Sequence, residues 1–196
     1  GFLGEESAQA QVGEGLLWVI DPIDGSMNFL RGYPQFSVSI ALLSNGEPIA
    51  ACIADPCRQE VFSAALGQGS TLNGHPLRVA PTAHLPLAVA ATVFPKPQAA
   101  SMPSYLAQFG QVVSSVAGVR RSGSMALELA YLAAGRVDVF WSHDMGSWDA
   151  AAGMLLIREA GGEVFTLDSL VWHASRRIAA ALTLACLGLG LLLLLP

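Results

Sequence analysis

Two aspartates, Asp21 and Asp24, are the residues of this chain best placed for metal chemistry, because they directly follow a short apolar run. Between them, Pro22 restricts the backbone to a tight turn, so both carboxylates could converge on one side. Paired carboxylates are hard oxygen ligands that suit Mg²⁺, Mn²⁺ or Ca²⁺ better than zinc, and the carbonyl of Ile23 could add another ligand. Asp-Pro and Asp-Gly are also ordinary turn pairs, so a turn without a metal is the alternative.

The residues after this pair could bind an anion. Gly25, Ser26, Met27 and Asn28 can open a helix. The first N–H groups of a helix lack partners within it and attract phosphate. A metal and a phosphate would then meet at one point, so the segment 18–29 indicates phosphoryl chemistry.

Two further carboxylates could join this site. Glu5 lies upstream, and Asp149 lies at the start of an Ala- and Gly-rich segment whose small residues would let a helix approach a sheet closely. Each has a simpler explanation. Glu5 could belong to a solvated acidic turn, and a carboxylate in a first helical turn is favoured by the helix dipole alone.

The elements that must position these residues begin with an antiparallel meander. Short apolar or alternating runs, separated by turn signals such as Asn45-Gly46 and Asn73-Gly74, predict strands. The predicted strands are 14–20, 36–43, 48–54, 60–66, 70–72 and 77–79.

The second half mixes strands and helices. The Pro- and Ala-rich stretch 81–103 is interpreted as a connection between two lobes. Strands are predicted at 112–119, 137–141 and 163–167, and helices at 124–134 and 148–160. Ser124 and Ser147 are the expected N-caps, and Gly135 and the Gly161-Gly162 pair the expected stops. Strands and helices at this density predict a layered α/β or α+β fold.

Composition narrows the functional classes. The formal net charge is −5, charged residues make up 13%, and no basic cluster suggests nucleic-acid binding. An acidic protein that handles an anionic substrate would recruit cations. Three cysteines without ligand spacing argue against a disulfide framework or a zinc site and favour a reducing compartment, so we expect a cytoplasmic protein.

Five segments, in order along the chain, resemble motifs of the inositol monophosphatase family. They are FLGEES from residue 2, WVIDPIDGSMNF from residue 18, DPCRQEVFSAALGQGSTLNGHPLRV from residue 55, RRSGSMALELAYLAAGRVDVF from residue 120 and WDAAAGMLLIREAGG from residue 148. The resemblance runs from residue 2 to about residue 167. It implies an alternating α-β-α-β-α sandwich that hydrolyses a small phosphate monoester, and a homodimer.

The resemblance also implies roles for individual residues. The metal ligands would be Glu5, Asp21, Asp24, Asp149 and the carbonyl of Ile23, holding about two or three Mg²⁺ ions, or Mn²⁺, as in multi-metal phosphoryl chemistry. Glu5, Asp24 and Ser26 would be catalytic, with Glu5 and the Ser26 hydroxyl orienting the attacking water. The substrate would contact the N–H groups of Gly25 and Ser26, together with Gly123, Ser124, Met125 and Asp149.

The sequence departs from the family in several places. The helices expected before Glu5, with an Asp that partners the hydroxyl at Ser26, are missing, and Ser142 stands where a substrate-contacting Glu is common. The substrate could therefore be inositol monophosphate, histidinol phosphate, fructose bisphosphate or 3′-phosphoadenosine 5′-phosphate, and an inactive metal-binding fragment is a further alternative.

The last residues form a separate unit in this interpretation. We expect a catalytic core at 1–167 and a tail at 168–196 that does not resemble the family. The uncharged run 178–195 reaches the lower bound for a membrane span, with Arg176 and Arg177 at its cytoplasmic edge. The favoured alternative is the truncated or frame-shifted end of a fragment.

Overall fold

The computed structural model describes residues 1–5, 15–143 and 145–165 of the 196-residue chain. The predicted tail at 168–196, including the membrane-span alternative, lies outside these residues. Within them, no helix combines the length and the apolar character needed to cross a membrane.

The larger sheet contains strands that follow one another in chain order. They are β1 (Phe2–Gly4), β2 (Leu16–Asp24), β3 (Ser37–Ser44), β4 (Glu47–Asp55), β5 (Glu60–Ala65), β6 (Gly69–Leu72) and β7 (His75–Pro76). Strand β1 pairs in parallel with β2, whereas every later pair is antiparallel. The meander predicted from turn signals is therefore present.

A smaller parallel sheet and the helices complete the described fold. The sheet has the order β10 (Val139–Trp141), β8 (Val89–Thr92), β9 (Gly118–Arg120). The helices are α1 (Ser26–Leu30), α2 (Met102–Val113), α3 (Met125–Ala133) and α4 (Ser147–Glu159). A short 3₁₀ turn, Leu85–Leu87, precedes β8.

Helices α3 and α4 cover one face of the larger sheet. Their buried residues form one apolar cluster with the inward-facing residues of β2 to β5, among them Val19, Ile53 and Phe62. The two helices approach closely because Gly153 of α4 lies directly against Leu129 of α3. A second cluster, centred on Tyr105 and Trp141, joins α2 to the smaller sheet. The two packed helix–sheet units confirm the predicted layered α/β fold.

Several element predictions are wrong. The stretch 112–119 is not one strand, since Val112 and Val113 end α2 and only 118–120 forms β9. The stretch 81–103 is more than a connection, because it contains β8 and the start of α2. No strand is formed at 77–79, nor at 163–165; the rest of the strand predicted at 163–167 lies outside the described residues. Helix α4 takes Gly146 as its N-cap, so Ser147 is its first helical residue instead of its cap.

Candidate metal and phosphate site

A bulge in β2 brings Asp21 and Asp24 to the same side of the sheet. In a regular strand, residues three apart point to opposite faces. Here Asp21 pairs with Ser39 and Asp24 with Ser37, so β2 has one residue more than β3 over this interval. The extra residue reverses the alternation, and both aspartates are buried, at 1% and 6% exposure. The sequence predicted a turn at Pro22; the structure forms a bulged strand instead.

The carboxylate of Asp24 lies at the N-terminus of α3. Its Oδ1 accepts a hydrogen bond from the N–H of Met125 (3.0 Å), and its Oδ2 accepts one from the N–H of Ala126 (2.8 Å). The hydroxyls of Ser124 and Ser37 also donate to Oδ2. Ser124 is the N-cap of α3 but its side chain makes no cap bond to its own helix. Asp24 therefore caps α3 from a distant segment, and the positive end of the helix dipole stabilises its charge.

The carboxylate of Asp149 lies at the start of α4. Its Oδ2 accepts a hydrogen bond from the N–H of Gly146 (3.0 Å), the reach-back of an acidic residue in the first turn of a helix. Ligand atoms of Asp21, Asp24 and Asp149 all lie within 4.8 Å of one another. Two helix N-termini and one bulged strand thus bring three carboxylates from two distant segments to a single point.

The crowding of these carboxylates changes their acidity. Burial, and then the charges of Asp24 and Glu5, raise the pKa of Asp21 to about 7, although the N–H of Ile23 opposes the shift. Burial raises the pKa of Asp149 to about 6, the N–H of Gly146 lowers it, and Asp24 and Glu5 add to the rise. A cation bound between these buried carboxylates would offset their mutual repulsion. An all-oxygen donor set fits a hard divalent ion such as Mg²⁺.

The other predicted ligands lie at the margin of this cluster. Glu5 is exposed and is not one of the three clustered residues, but its charge reaches Asp21 and Asp149. Ile23 lies in the bulge, and its N–H donates to Oδ1 of Asp21 (3.0 Å). Ligation by the Ile23 carbonyl and by Glu5 stays a prediction.

The predicted phosphate contacts lie directly after Asp24. Gly25 has φ 88°, and a Cβ there would lie 3.1 Å from the carbonyl oxygen of Gln35 and 3.2 Å from that of Gly123, so a larger residue would strain the backbone and crowd both carbonyls. Ser26 is exposed and begins α1, which has only five residues. A helix this short adds little dipole, so any attraction for phosphate must come from individual N–H groups.

The predicted substrate contacts divide into two kinds. Gly123 and Met125 are partly exposed, whereas Ser124 is fully buried with its hydroxyl on Asp24. In this structure the Ser124 hydroxyl contacts Asp24, and a substrate contact at Ser124 stays a prediction. Sequence reasoning also missed Ser37, whose buried hydroxyl joins Asp24 and Ser124. Its alternation within β3 indicated only that it faces inward.

Comparisons with known proteins relate this chain to one family. The model of the inositol monophosphatase family matches residues 1–188. An inositol-1-monophosphatase of Rhizobium meliloti is 45% identical over 163 residues, which are 83% of this chain and 61% of that protein. The Nus factor SuhB of Pseudomonas aeruginosa is 47% identical over 168 residues, or 83% and 62% of the two chains.

A solved structure shows the same fold. The inositol monophosphatase of Anabaena (Nostoc) sp. PCC 7120 aligns with a TM-score of 0.85 and 38% identity, covering 95% of this chain and 78% of the other. The curated relatives are longer than this chain, which spans 61% of the first and 62% of the second.

Proposed function

Since this chain belongs to the inositol monophosphatase family, we propose that it hydrolyses a small phosphate monoester with the help of Mg²⁺. The observation that carries the proposal is the cluster of Asp21, Asp24 and Asp149, whose ligand atoms lie within 4.8 Å of one another at two helix N-termini. Divalent cations and oriented N–H groups are the means by which proteins stabilise a transferring phosphoryl group.

The three aspartates would hold the cation in this proposal, with Glu5 and the Ile23 carbonyl as further ligands. When bound, Mg²⁺ supplies charge neutralisation at the phosphoryl oxygens and lowers the pKa of a nearby water. The chain's own groups then do the positioning. The N–H groups of Gly25 and Ser26 orient the phosphate, and Glu5 together with the Ser26 hydroxyl orients the water that attacks phosphorus as the alcohol leaves. Mn²⁺ would be a competent substitute, because it also prefers oxygen ligands.

The substrate class is part of the proposal and concerns the residues around this cluster. Asp149, Gly123 and Met125 would contact the hydroxyl-bearing part of the substrate, and inositol monophosphate or a related polyol phosphate is our first choice. Arg121 lies near this region with its guanidinium over the ring of Phe94. Because this guanidinium already contacts an aromatic ring, we favour a monophosphate substrate over a bisphosphate.

A panel assay tests the proposal. We expect the full chain to release phosphate from inositol monophosphate with Mg²⁺ and not with EDTA. Histidinol phosphate, fructose bisphosphate and 3′-phosphoadenosine 5′-phosphate complete the panel. Asp149→Asn should lower the rate by at least about a hundredfold, because metal polarisation supplies several kcal/mol of transition-state stabilisation. Glu47→Gln is the matched control, since Glu47 is an exposed acid on β4 whose carboxylate lies 3.6 Å from the guanidinium of Arg158.

The outcomes separate the alternatives. Release that is independent of Mg²⁺, or full activity in Asp149→Asn, would refute the site assignment. Binding of Mg²⁺ without release from any substrate would favour a non-catalytic metal-binding role, and relatives named as Nus factors make that outcome worth distinguishing. The assay therefore tests both the reaction and the residues assigned to it.

We also propose that the protein acts in the cytoplasm as a homodimer. Phe2, Leu16 and Trp18 are 52%, 57% and 47% exposed on neighbouring strands of the larger sheet, on the face opposite α3 and α4. Adjacent exposed apolar side chains favour association. Light scattering coupled to size-exclusion chromatography should give twice the monomer mass, and Trp18→Lys should shift it towards the monomer.

A further inference from the structure

The side chain of Asn28 connects three segments of the candidate site. Its Nδ2 donates one hydrogen bond to the carbonyl oxygen of Gln35 (2.7 Å) and one to the carbonyl oxygen of Ser122 (2.9 Å). Asn28 belongs to α1, Gln35 to the loop before β3, and Ser122 to the segment before α3. Both protons of the amide are used, so the contact needs a donor group with two hydrogens.

These segments touch one another around two glycines. A Cβ on Gly123 would lie 2.9 Å from Nδ2 of Asn28, and a Cβ on Gly25 would lie between the backbones of Gln35 and Gly123. Both glycines have positive φ, 88° at Gly25 and 89° at Gly123. The amide of Asn28 therefore sets the distance between the backbone that follows Asp24 and the backbone that leads into α3.

The peptide of Ser122 is held on both sides. Its carbonyl oxygen accepts from Asn28 and its N–H donates to Oε1 of the buried Glu128 (2.8 Å). The next residues but one carry the groups that donate to Asp24, namely the Ser124 hydroxyl and, directly after it, the N–H groups of Met125 and Ala126. A shift of Ser122 would move all three donors together.

We propose that Asn28 is a positioning residue for cation binding, which holds the start of α3 in the place where its donors orient the carboxylate of Asp24. This inference rests on the proposed function, because it assumes that Asp24 is a metal ligand. Asn28 does not touch the carboxylates itself; it acts through Ser122 and the donors that follow. Groups that orient metal ligands commonly change metal affinity by about 10- to 100-fold when removed.

Asn73 provides a matched control within the same chain. Its Oδ1 accepts from the N–H of Val61 (2.8 Å), and its Nδ2 donates to the carbonyl oxygen of Gln59 (3.1 Å). It is therefore also an asparagine whose amide joins two backbone segments, but it belongs to the turn between β6 and β7. Replacing it should affect stability without affecting Asp24.

The experiment measures Mn²⁺ affinity by electron paramagnetic resonance of the full chain, for wild type, Asn28→Asp, Asn28→Ala and Asn73→Asp. We expect both Asn28 variants to bind Mn²⁺ at least about tenfold more weakly, and Asn73→Asp to bind like wild type. Amide hydrogen exchange without metal gives a second readout. Exchange at Met125 and Ala126 should be faster in the Asn28 variants and unchanged in Asn73→Asp.

Each result decides the question. Equal Mn²⁺ affinity in wild type and the Asn28 variants would overturn the inference while leaving the proposed function intact. Equal weakening in Asn73→Asp would show a general loss of stability and would also overturn it. Absence of Mn²⁺ binding by folded wild type would overturn both the inference and the proposed function. If Asn28→Asp does not fold, Asn28→Ala carries the same expectation, and loss of folding in both would make Asn28 a folding residue and overturn its positioning role.

Discussion

The hydroxyl of Ser124 donates to Oδ2 of Asp24, across 100 positions of sequence. A serine at an N-cap ordinarily accepts a hydrogen bond from an N–H group of its own helix. Here Asp24 accepts the hydrogen bonds from the first N–H groups of α3 instead. Among the described residues, Oδ2 of Asp24 accepts from three donors, whereas Oδ1 accepts only from the N–H of Met125. Oδ1 therefore retains the lone pair that is free for a cation.

The first prediction concerns Ser124→Ala. Removing the hydroxyl leaves a buried carboxylate with one donor fewer, which should lower the free energy of unfolding by about 1–3 kcal/mol. Ser124→Thr keeps the hydroxyl and should lose less. Urea denaturation with EDTA measures both variants. Ser115→Ala serves as control, because the exposed hydroxyl of Ser115 donates to the carbonyl of Gln111, four residues earlier. If Ser115→Ala lowered the free energy of unfolding as much as Ser124→Ala does, the argument would be contradicted.

The second prediction is a pH dependence of the metal-free protein. The pKa of Asp21 is raised by burial from 3.8 to about 7, so between these values the folded state binds more protons than the unfolded state. Stability contributed by this group is therefore present at low pH and is lost as the pH rises towards 7. The pKa of Asp149, about 6, acts in the same direction.

Urea midpoints in EDTA at several values between pH 4.5 and 7.5 would measure this dependence. The urea midpoint should decline less steeply with rising pH in Asp21→Asn than in wild type, because this substitution removes the titrating group and keeps the shape of the side chain. A stability that rises in wild type over this interval, with no difference in Asp21→Asn, would refute the assigned cause.

Much of the site could be predicted from the sequence because its carboxylates lie in compact motifs. Asp21, Asp24 and Asp149 come together as expected, since a strand end and a helix start are features of local sequence. The way in which they meet could not be predicted. Whether Pro22 makes a turn or a bulge depends on the partner strand, since only pairing with Ser37 and Ser39 fixes the register.

Helix α2 is the clearest failure of prediction in the fold. Pro103 and Gly110 lie within Met102–Val113, and both weaken a helical signal. Pro103 is tolerated because it stands in the first turn, where the missing N–H has no partner to lose. The buried residues Tyr105, Gln108 and Val112 follow helical spacing, whereas the β-branched Val112 and Val113 at the end of the helix favour a strand.

The third prediction links metal binding to protons. A cation requires the ionised forms of Asp21 and Asp149, whose pKa values are about 7 and about 6 in the metal-free protein. Binding of Mg²⁺ below pH 7 should therefore release protons, and affinity should increase as the pH rises from about 5.5 to 7.5. Isothermal titration calorimetry in buffers of different ionisation enthalpy measures the number released. The same titration of Asp21→Asn with Mg²⁺ is the control. If that variant released as many protons as wild type, the assignment of the release to Asp21 would be wrong.

The fourth prediction tests the close packing that places Asp149. A Cβ on Gly153 would lie 2.4 Å from Cβ of Leu129, so Gly153→Ala should force α3 and α4 apart. We expect a loss of about 1–3 kcal/mol in the free energy of unfolding, as for other overpacked cores. Weaker Mg²⁺ binding should accompany it, because Asp24 caps α3 and Asp149 begins α4.

Gly110→Ala is the matched control for this fourth prediction. Gly110 also lies inside a helix, α2, but a Cβ there meets nothing within 4 Å. Alanine should stabilise it by up to about 1 kcal/mol, since glycine is the poorer helix former. Thermal and urea unfolding of the two variants should thus move in opposite directions. If Gly153→Ala were as stable as wild type and bound Mg²⁺ equally well, the spacing of α3 and α4 would not govern the distance between Asp24 and Asp149.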